Sequence, residues 1–475
     1  MLEKLNHNFW YSLIGLSAVY FSLSTTHTDV LITLAQIPGF LEGHILDFYD
    51  HYAAATGRSP GYPPNYMPLM YFILGIWQLP TYLLGFLTEV RAWSIPHIWH
   101  KCLNILFLCL IFIEIRGALG RLAGREFGTA VALATILSPI VLYSTLTFGQ
   151  FDVYPLYFII FGFFRLCRGQ LYTGAFSFGI SMGFKYFGLF AFLPLLLFLC
   201  KDVRKLVFSV FMFVIPYLAL RGIYSFSPGF VESVLNYPLA NSTLFAPSFP
   251  FGSGKIHVVL FLFALTCAFS WVLSPSKDEE RNIRKSACLV FLAFATVFGT
   301  INFHPQWMIY PGIFLAFISC MHIDKINYRW LELAVYYFFF AYIVTFFNQN
   351  TDNIMFQSGI FSTFHMYEFK QQMSVFFLPS NKDWLYSALS ALMFFIAAYT
   401  LYLELHSPSK RDSVSNHSHT SMMARSQANL AFIYILFYLP ASLSLRHPNP
   451  MLHAGFVCLM IILCFILNKQ YSKKI

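Results

Sequence analysis

Fifteen- to twenty-residue stretches with almost no charge recur from one end of the chain to the other, separated by short polar breaks. Read as helices, these runs predict spans near 9–24, 99–115, 127–147, 153–168, 171–184, 186–200, 206–222, 256–273, 287–301, 307–322, 330–347, 384–405, 427–445 and 450–467. The pattern is that of an all-α polytopic membrane protein with about 13–14 transmembrane helices. The apolar stretch 67–87 is left out of the count, because charge decides where it goes. If it crosses, every later basic loop moves to the outer side. If it lies along or dips into the outer face, Arg116, Arg121, Arg125, Arg165, Arg168, Lys201, Arg204, Lys205, Lys277, Arg281, Arg284, Lys285, Lys325, Arg329 and the later basic loops all fall inside with Lys4. The chain is then expected to start and end in the cytoplasm, with a long first outer loop over 25–97 that carries membrane-parallel helices.

Composition sharpens this picture. The chain is 57% apolar and 11% charged, too few charges to cover a soluble surface. The net charge of +9 is scattered over short loops with no contiguous basic tract, so a nucleic-acid partner is not expected. The nine cysteines fall almost wholly within apolar runs and form no CxxC, which predicts packing rather than redox or metal chemistry. The polar segment 406–426 reads as a cytoplasmic linker, and Asn241 begins an Asn-x-Thr acceptor sequence in an outer loop.

The outer loops hold the polar residues with chemical potential. His27-Thr28-Asp29 follows the first helix directly, so Asp29 is either a solvated helix end or, if desolvated, a general base. Glu42, Asp47, Asp50 and His51 fit the polar side of a helix lying on the membrane. Arg58 and the turn Gly61-Tyr62-Pro63-Pro64 come next, and the prolines fix an extended course that aims Tyr62. Gly149-Gln150-Phe151-Asp152 places an acid between two apolar spans, which is expensive unless the acid pairs or lines a hydrated cavity. Lys185 is an isolated charge in a long apolar region, either snorkelling to headgroups or binding an anion such as phosphate. His304-Pro305-Gln306-Trp307 packs donors and acceptors into one short turn.

Together these segments resemble the GT-C superfamily of membrane glycosyltransferases. His27-Thr28-Asp29 looks like that superfamily's acidic residue after the first helix, and Gly61-Tyr62-Pro63-Pro64 resembles a motif of its endoplasmic-reticulum glucosyltransferases. Gly149-Gln150-Phe151-Asp152, Gly183-Phe184-Lys185 and His304-Pro305-Gln306-Trp307 are similar to a bacterial mannosyl- and glucosyltransferase-like branch that uses polyprenyl-phosphate sugars. The resemblance implies a catalytic module over 1–320 followed by C-terminal helices over 321–475. It implies transfer of a hexose from a polyprenyl-phosphate carrier to a glycan or lipid acceptor at the non-cytoplasmic face, with inversion. Asp29 is then the base, with Tyr62, Gln150, Asp152, Lys185, His304, Gln306, Arg58 and Arg221 around donor and acceptor. No Asp-x-Asp or Glu-x-Asp pair accompanies Asp29, so no cofactor is assigned and a divalent metal stays open. A bacterial inner membrane is the favoured location, with the endoplasmic reticulum as the alternative. A transporter or lipid-carrier flippase shares the helices, but it calls for internal repeats that the sequence lacks and for ionisable groups at the midplane.

Overall fold

Among the described residues the apolar runs become helices, and the polar breaks mark where each one stops. A computed structural model describes residues 27–54, 64–88, 90, 94–236, 245, 247–301, 303–322, 326–346 and 382–406. The expected spans at 9–24, 427–445 and 450–467, the segment with Arg58 and Tyr62, Asn241, and nearly all of the 348–383 loop and the 406–426 linker lie outside these residues.

Four short helices form a layer over one end of the bundle: α1 (Thr28–Ala35), α2 (Ile37–Leu41), α3 (Phe48–Ala54) and α4 (Pro68–Leu83). The bundle itself is built from α5 (Ile95–Ala123), α6 (Arg125–Ile136), α7 (Pro139–Leu142), α8 (Val153–Cys167), α9 (Leu171–Met182), α10 (Gly188–Leu199) and α11 (Val203–Ile223). It continues with α12 (Val258–Val272), α13 (Glu279–Phe298), α14 (Ile309–Met321), α15 (Ile326–Phe346) and α16 (Lys382–His406). The chain is an all-helical polytopic membrane protein whose described strands are two short ones, β1 (Ser248–Phe251) and β2 (Gly254–His257), paired antiparallel. α5, α11 and α16 are each long and apolar enough to cross a bilayer alone.

The expected span at 127–147 is broken. α6 and the segment Pro139–Thr147 meet at a bend of 57°, because Pro139 has no N–H to continue the helix and pushes Ser138 out of the helical region. α8 lies at the centre, packed on α5, α9, α10 and α13. It meets α9 closely: a Cβ on Gly162 would lie 2.9 Å from the Gly174 carbonyl, so only glycine permits this crossing.

The two ends of the bundle differ in character. At one end Arg165 faces Glu114 at 3.9 Å, Arg168 faces Glu279 at 3.7 Å, and the buried Glu404 receives Arg284 at 3.0 Å and His322 at 3.1 Å. These are loops that the charge pattern assigns to a single side. The other end carries the α1–α4 layer, and α4 stays within it. Leu69 N–H donates to the Gly183 carbonyl (3.1 Å), and Gln78 donates to the Pro96 carbonyl (2.8 Å). Trp77 and Trp99 stack at 4.7 Å and each donates its indole N–H to the other's carbonyl (2.7 Å). α4 is thereby tied at its start to the end of α9 and in its second half to the first turns of α5.

Candidate active site

Asp29 sits in the first turn of α1, and the residue before it holds that turn in place. His27 is the helix cap: its Nδ1 accepts the Asp29 N–H at 3.1 Å, satisfying a donor that the helix start leaves open. The imidazole is buried and stacks on Phe148 at 3.6 Å. Burial, with His304 nearby, pushes the His27 pKa down to about 3, so the ring is neutral and its remaining proton is on Nε2. The approach of Nδ1 to Asp29 Oδ2 (3.8 Å) is therefore no ion pair. About 41% of the Asp29 side chain is open, which leaves room for an incoming hydroxyl. Burial by the surrounding protein nonetheless raises its pKa, opposed by the charges of His304 and Lys185 and by a hydrogen bond from Gln150.

That hydrogen bond joins loops 121 residues apart. Gln150 Nε2 donates to Asp29 Oδ2 at 3.0 Å and also reaches the Tyr66 hydroxyl at 3.3 Å. Gln150 is aimed by the turn that ends the broken span, where Gly149 takes a left-handed backbone (φ +76°). A Cβ at Gly149 would come within 3.0 Å of Lys101 Cε, so the position suits only glycine.

The sequence reading missed what anchors this turn. His97, His100, Lys101 and Asn104 line one face of the start of α5, buried among apolar residues. Lys101 Nζ donates to the Leu146 carbonyl (2.9 Å), and Asn104 Nδ2 to those of Thr145 (2.9 Å) and Gly149 (3.0 Å). His100 Nε2 donates to the Gly149 carbonyl (2.8 Å) while its Nδ1 accepts from the Tyr154 hydroxyl (3.2 Å). These side chains satisfy carbonyls that the unwinding helix orphans. Their spacing of three, one and three residues was the available signal.

Asp152 opens α8 but does not cap it. Its carboxylate, 1% exposed, takes two hydrogen bonds from Lys185 Nζ (2.8 and 2.9 Å) and one from the Tyr310 hydroxyl (2.9 Å). The Lys185 ammonium also lies 5.1 Å over the Tyr66 ring. Lys185 is thus no isolated charge: its ammonium is paired with both oxygens of the Asp152 carboxylate.

His304 stands beside Trp307 (5.0 Å between rings), close enough for Asp29, Lys185 and Asp152 to act on it electrostatically. Burial lowers its pKa, and the two carboxylates oppose that shift. Gln306 is buried in the short helical turn Pro305–Met308, which packs on the 143–147 segment. Arg221 is exposed at the end of α11 and its charge reaches Tyr186, the neighbour of Lys185. Asp29, Gln150, Asp152, Lys185 and His304 therefore meet in one cluster, with Gln306 and Arg221 at its margins, while Tyr62 and Arg58 lie outside the described residues. Three buried atoms of the cluster and its margin, His27 Nε2, Gln150 Oε1 and Gln306 Oε1, have no hydrogen-bond partner among the described residues. A bound polar molecule would supply what they lack. Asp50, expected on a solvated helix face, instead accepts the Gly229 N–H at 2.7 Å.

No group of three or more His, Cys, Asp or Glu among the described residues could hold a metal ion. No family model matches the chain, and no curated protein matches it. Among solved structures it is similar to ArnT from Cupriavidus metallidurans. Against ArnT bound to undecaprenyl phosphate the TM-score is 0.45 and the identity 11%, over 92% of this chain and 82% of that one. Against the apo state the values are 0.43 and 11%, over 89% and 78%.

Proposed function

We propose that this chain is a multi-pass membrane glycosyltransferase that moves a hexose, glucose or mannose, from a polyprenyl-phosphate carrier to a glycan or lipid acceptor, at the non-cytoplasmic face of a bacterial inner membrane. The observation that carries the reading is the division of labour between two neighbouring acids. Asp152 is committed to Lys185 and Tyr310. Asp29 is open on one side, bonded to a neutral amide, and raised in pKa by burial. A carboxylate of that kind suits proton abstraction from a hydroxyl.

The chemistry is a single displacement. Asp29 accepts the proton of the acceptor hydroxyl, and the freed oxygen attacks the anomeric carbon. The bond from that carbon to the phosphate oxygen breaks, and the polyprenyl phosphate leaves with the electron pair. Lys185 would offer its third donor to the departing phosphate, and Arg221, exposed at the end of α11, would add a second positive charge. Because the phosphate is already a good leaving group, no carboxylate nucleophile is needed, and the configuration inverts.

Membranes holding the protein, supplied in turn with radiolabelled polyprenyl-phosphate glucose and mannose, should pass label from one of them to the acceptor fraction. Carrier that crosses between leaflets with no transfer from either sugar would establish the flippase alternative. The pH profile offers a second check. Asp29 must be ionised to act, so the acid limb of kcat/KM should lie above the ordinary carboxylate value of about 4. Gln150→Leu removes a hydrogen bond that favours the ionised form, so the limb should move to still higher pH. An unmoved limb would detach Gln150 from Asp29.

A further inference from the structure

The strands β1 and β2 form a hairpin whose second strand runs directly into α12, His257 being followed by Val258 with no intervening loop. Its register pairs Phe249 with Ile256 and Phe251 with Gly254, across a turn that Gly252 closes with φ +58°. Side chains alternate across a strand. Phe249, Ile256 and Phe251 therefore share one face, and Pro250 and Lys255 share the other. Phe251 is 70% exposed and Phe249 is 40% exposed. An aromatic face left open in this way calls for a partner.

What that partner is follows from α12. Only Val259, Thr266 and Ser270 of this helix are buried, while Leu260, Phe261, Leu265, Trp271 and Val272 look outward. Such a helix faces lipid. Phe249 packs on Phe261 (6.3 Å between rings), so the aromatic face of the hairpin continues the lipid-facing surface of α12 without a break. The far end of α12 is fixed in depth. Lys201 Nζ donates to the carbonyls of Trp271 (2.6 Å) and Ser270 (3.3 Å) and lies 5.0 Å over the Trp271 ring. A Trp and a Lys together mark a membrane–water interface. From Trp271 to Val258 the helix rises only about 20 Å, against a hydrocarbon core of roughly 30 Å. The hairpin therefore begins below the level at which the outer headgroups would otherwise stand.

We propose that this hairpin lies flat in the outer leaflet, with Phe249 and Phe251 turned to the acyl chains and Lys255 turned to the lipid phosphates. Among the described residues no third strand pairs with its outer edges, so their N–H and C=O groups keep it at the acyl–headgroup boundary where water can reach them and out of the hydrocarbon interior. Charge agrees: between Asn236 and His257 there is no Asp or Glu, while Lys255 is exposed. The partner is an anionic phospholipid surface.

Site-specific photocrosslinking tests this on the full chain. p-Benzoylphenylalanine is placed at Phe251 or, separately, at Lys255, and the protein is reconstituted in vesicles of phosphatidylethanolamine and phosphatidylglycerol. Phe251 is exposed, so the larger ring leaves packing intact. Irradiation should give phospholipid adducts at position 251, read by mass spectrometry, several-fold more abundant than at position 255. Equal adduct levels at the two positions, adducts to a second copy of the chain, or no lipid adduct at 251 would each overturn the proposal.

Discussion

Asp29→Asn is expected to lower transfer turnover by about 10²–10⁴-fold while leaving the protein folded and able to bind its carrier. The amide keeps the size of the carboxyl group and can still accept from the Gln150 amide, but it cannot take a proton. Stability should not fall. Burial holds the folded-state pKa of Asp29 above its unfolded value, so the ionised form costs folding free energy at neutral pH, a cost that fades as pH falls through the raised value. Asparagine removes the cost, and the thermal midpoint of the variant should equal or exceed that of the parent at pH 7. Asp152→Asn, run beside it, should lose stability because Asp152 is paired and buried. Should Asp29→Asn retain near-normal transfer while Asp152→Asn, still folded, abolishes it, the base is Asp152. If both transfer normally, the displacement proposed above is wrong.

Lys185→Ala should damage binding and folding together, and a second substitution separates the two. Losing a charge-assisted contact to the donor phosphate is worth roughly 1.5–3 kcal/mol, or about 10- to 150-fold in the apparent KM for carrier. The same change leaves the Asp152 carboxylate buried with Tyr310 as its remaining hydrogen-bond partner among the described residues, and breaking a buried pair in this manner costs about 3–5 kcal/mol. Lys185→Ala combined with Asp152→Asn removes the stranded charge as well. The double variant should recover most of the lost thermal stability and keep the raised KM. Recovery of both would make Lys185 a structural partner of Asp152 and nothing more, while an unchanged KM in the single variant would remove it from the donor site.

The helices were legible because lipid imposes one rule on every span, a long uncharged run, and that rule is written in composition alone. The break in the 127–147 span could have been read from Ser138-Pro139, since proline removes a helical hydrogen bond wherever it stands. The hairpin was hidden because Pro247 and Pro250 interrupt the alternation that announces strands. Within the site, Asp29, Gln150, Asp152, Lys185 and His304 stood out as polar groups where apolar ones are cheaper. Their partnerships did not. Asp152 and Lys185 are 33 residues apart, and Asp152 and Tyr310 are 158 apart, so nothing local in the sequence links them. Lys101 escaped notice for a different reason. It lies near the start of an apolar run, where a lysine reads as a headgroup anchor, and its bond to the Leu146 backbone carbonyl is one that no sequence pattern displays.

The 33-residue separation of Asp152 and Lys185 also bears on how the protein is made. With the site on the non-cytoplasmic side, as proposed, a chain delivered to the membrane from its N-terminus moves the acid across first, on the turn before α8, and the lysine follows on the next turn of the same side, after α9. Each charge alone resists transfer by a few kcal/mol. Once the second turn arrives, the two can neutralise one another, long before Tyr310 on α14 has been synthesised. On the proposed topology the pair thus serves first as a latch during insertion, and a chain lacking Lys185 leaves Asp152 to wait for Tyr310 on α14 uncompensated.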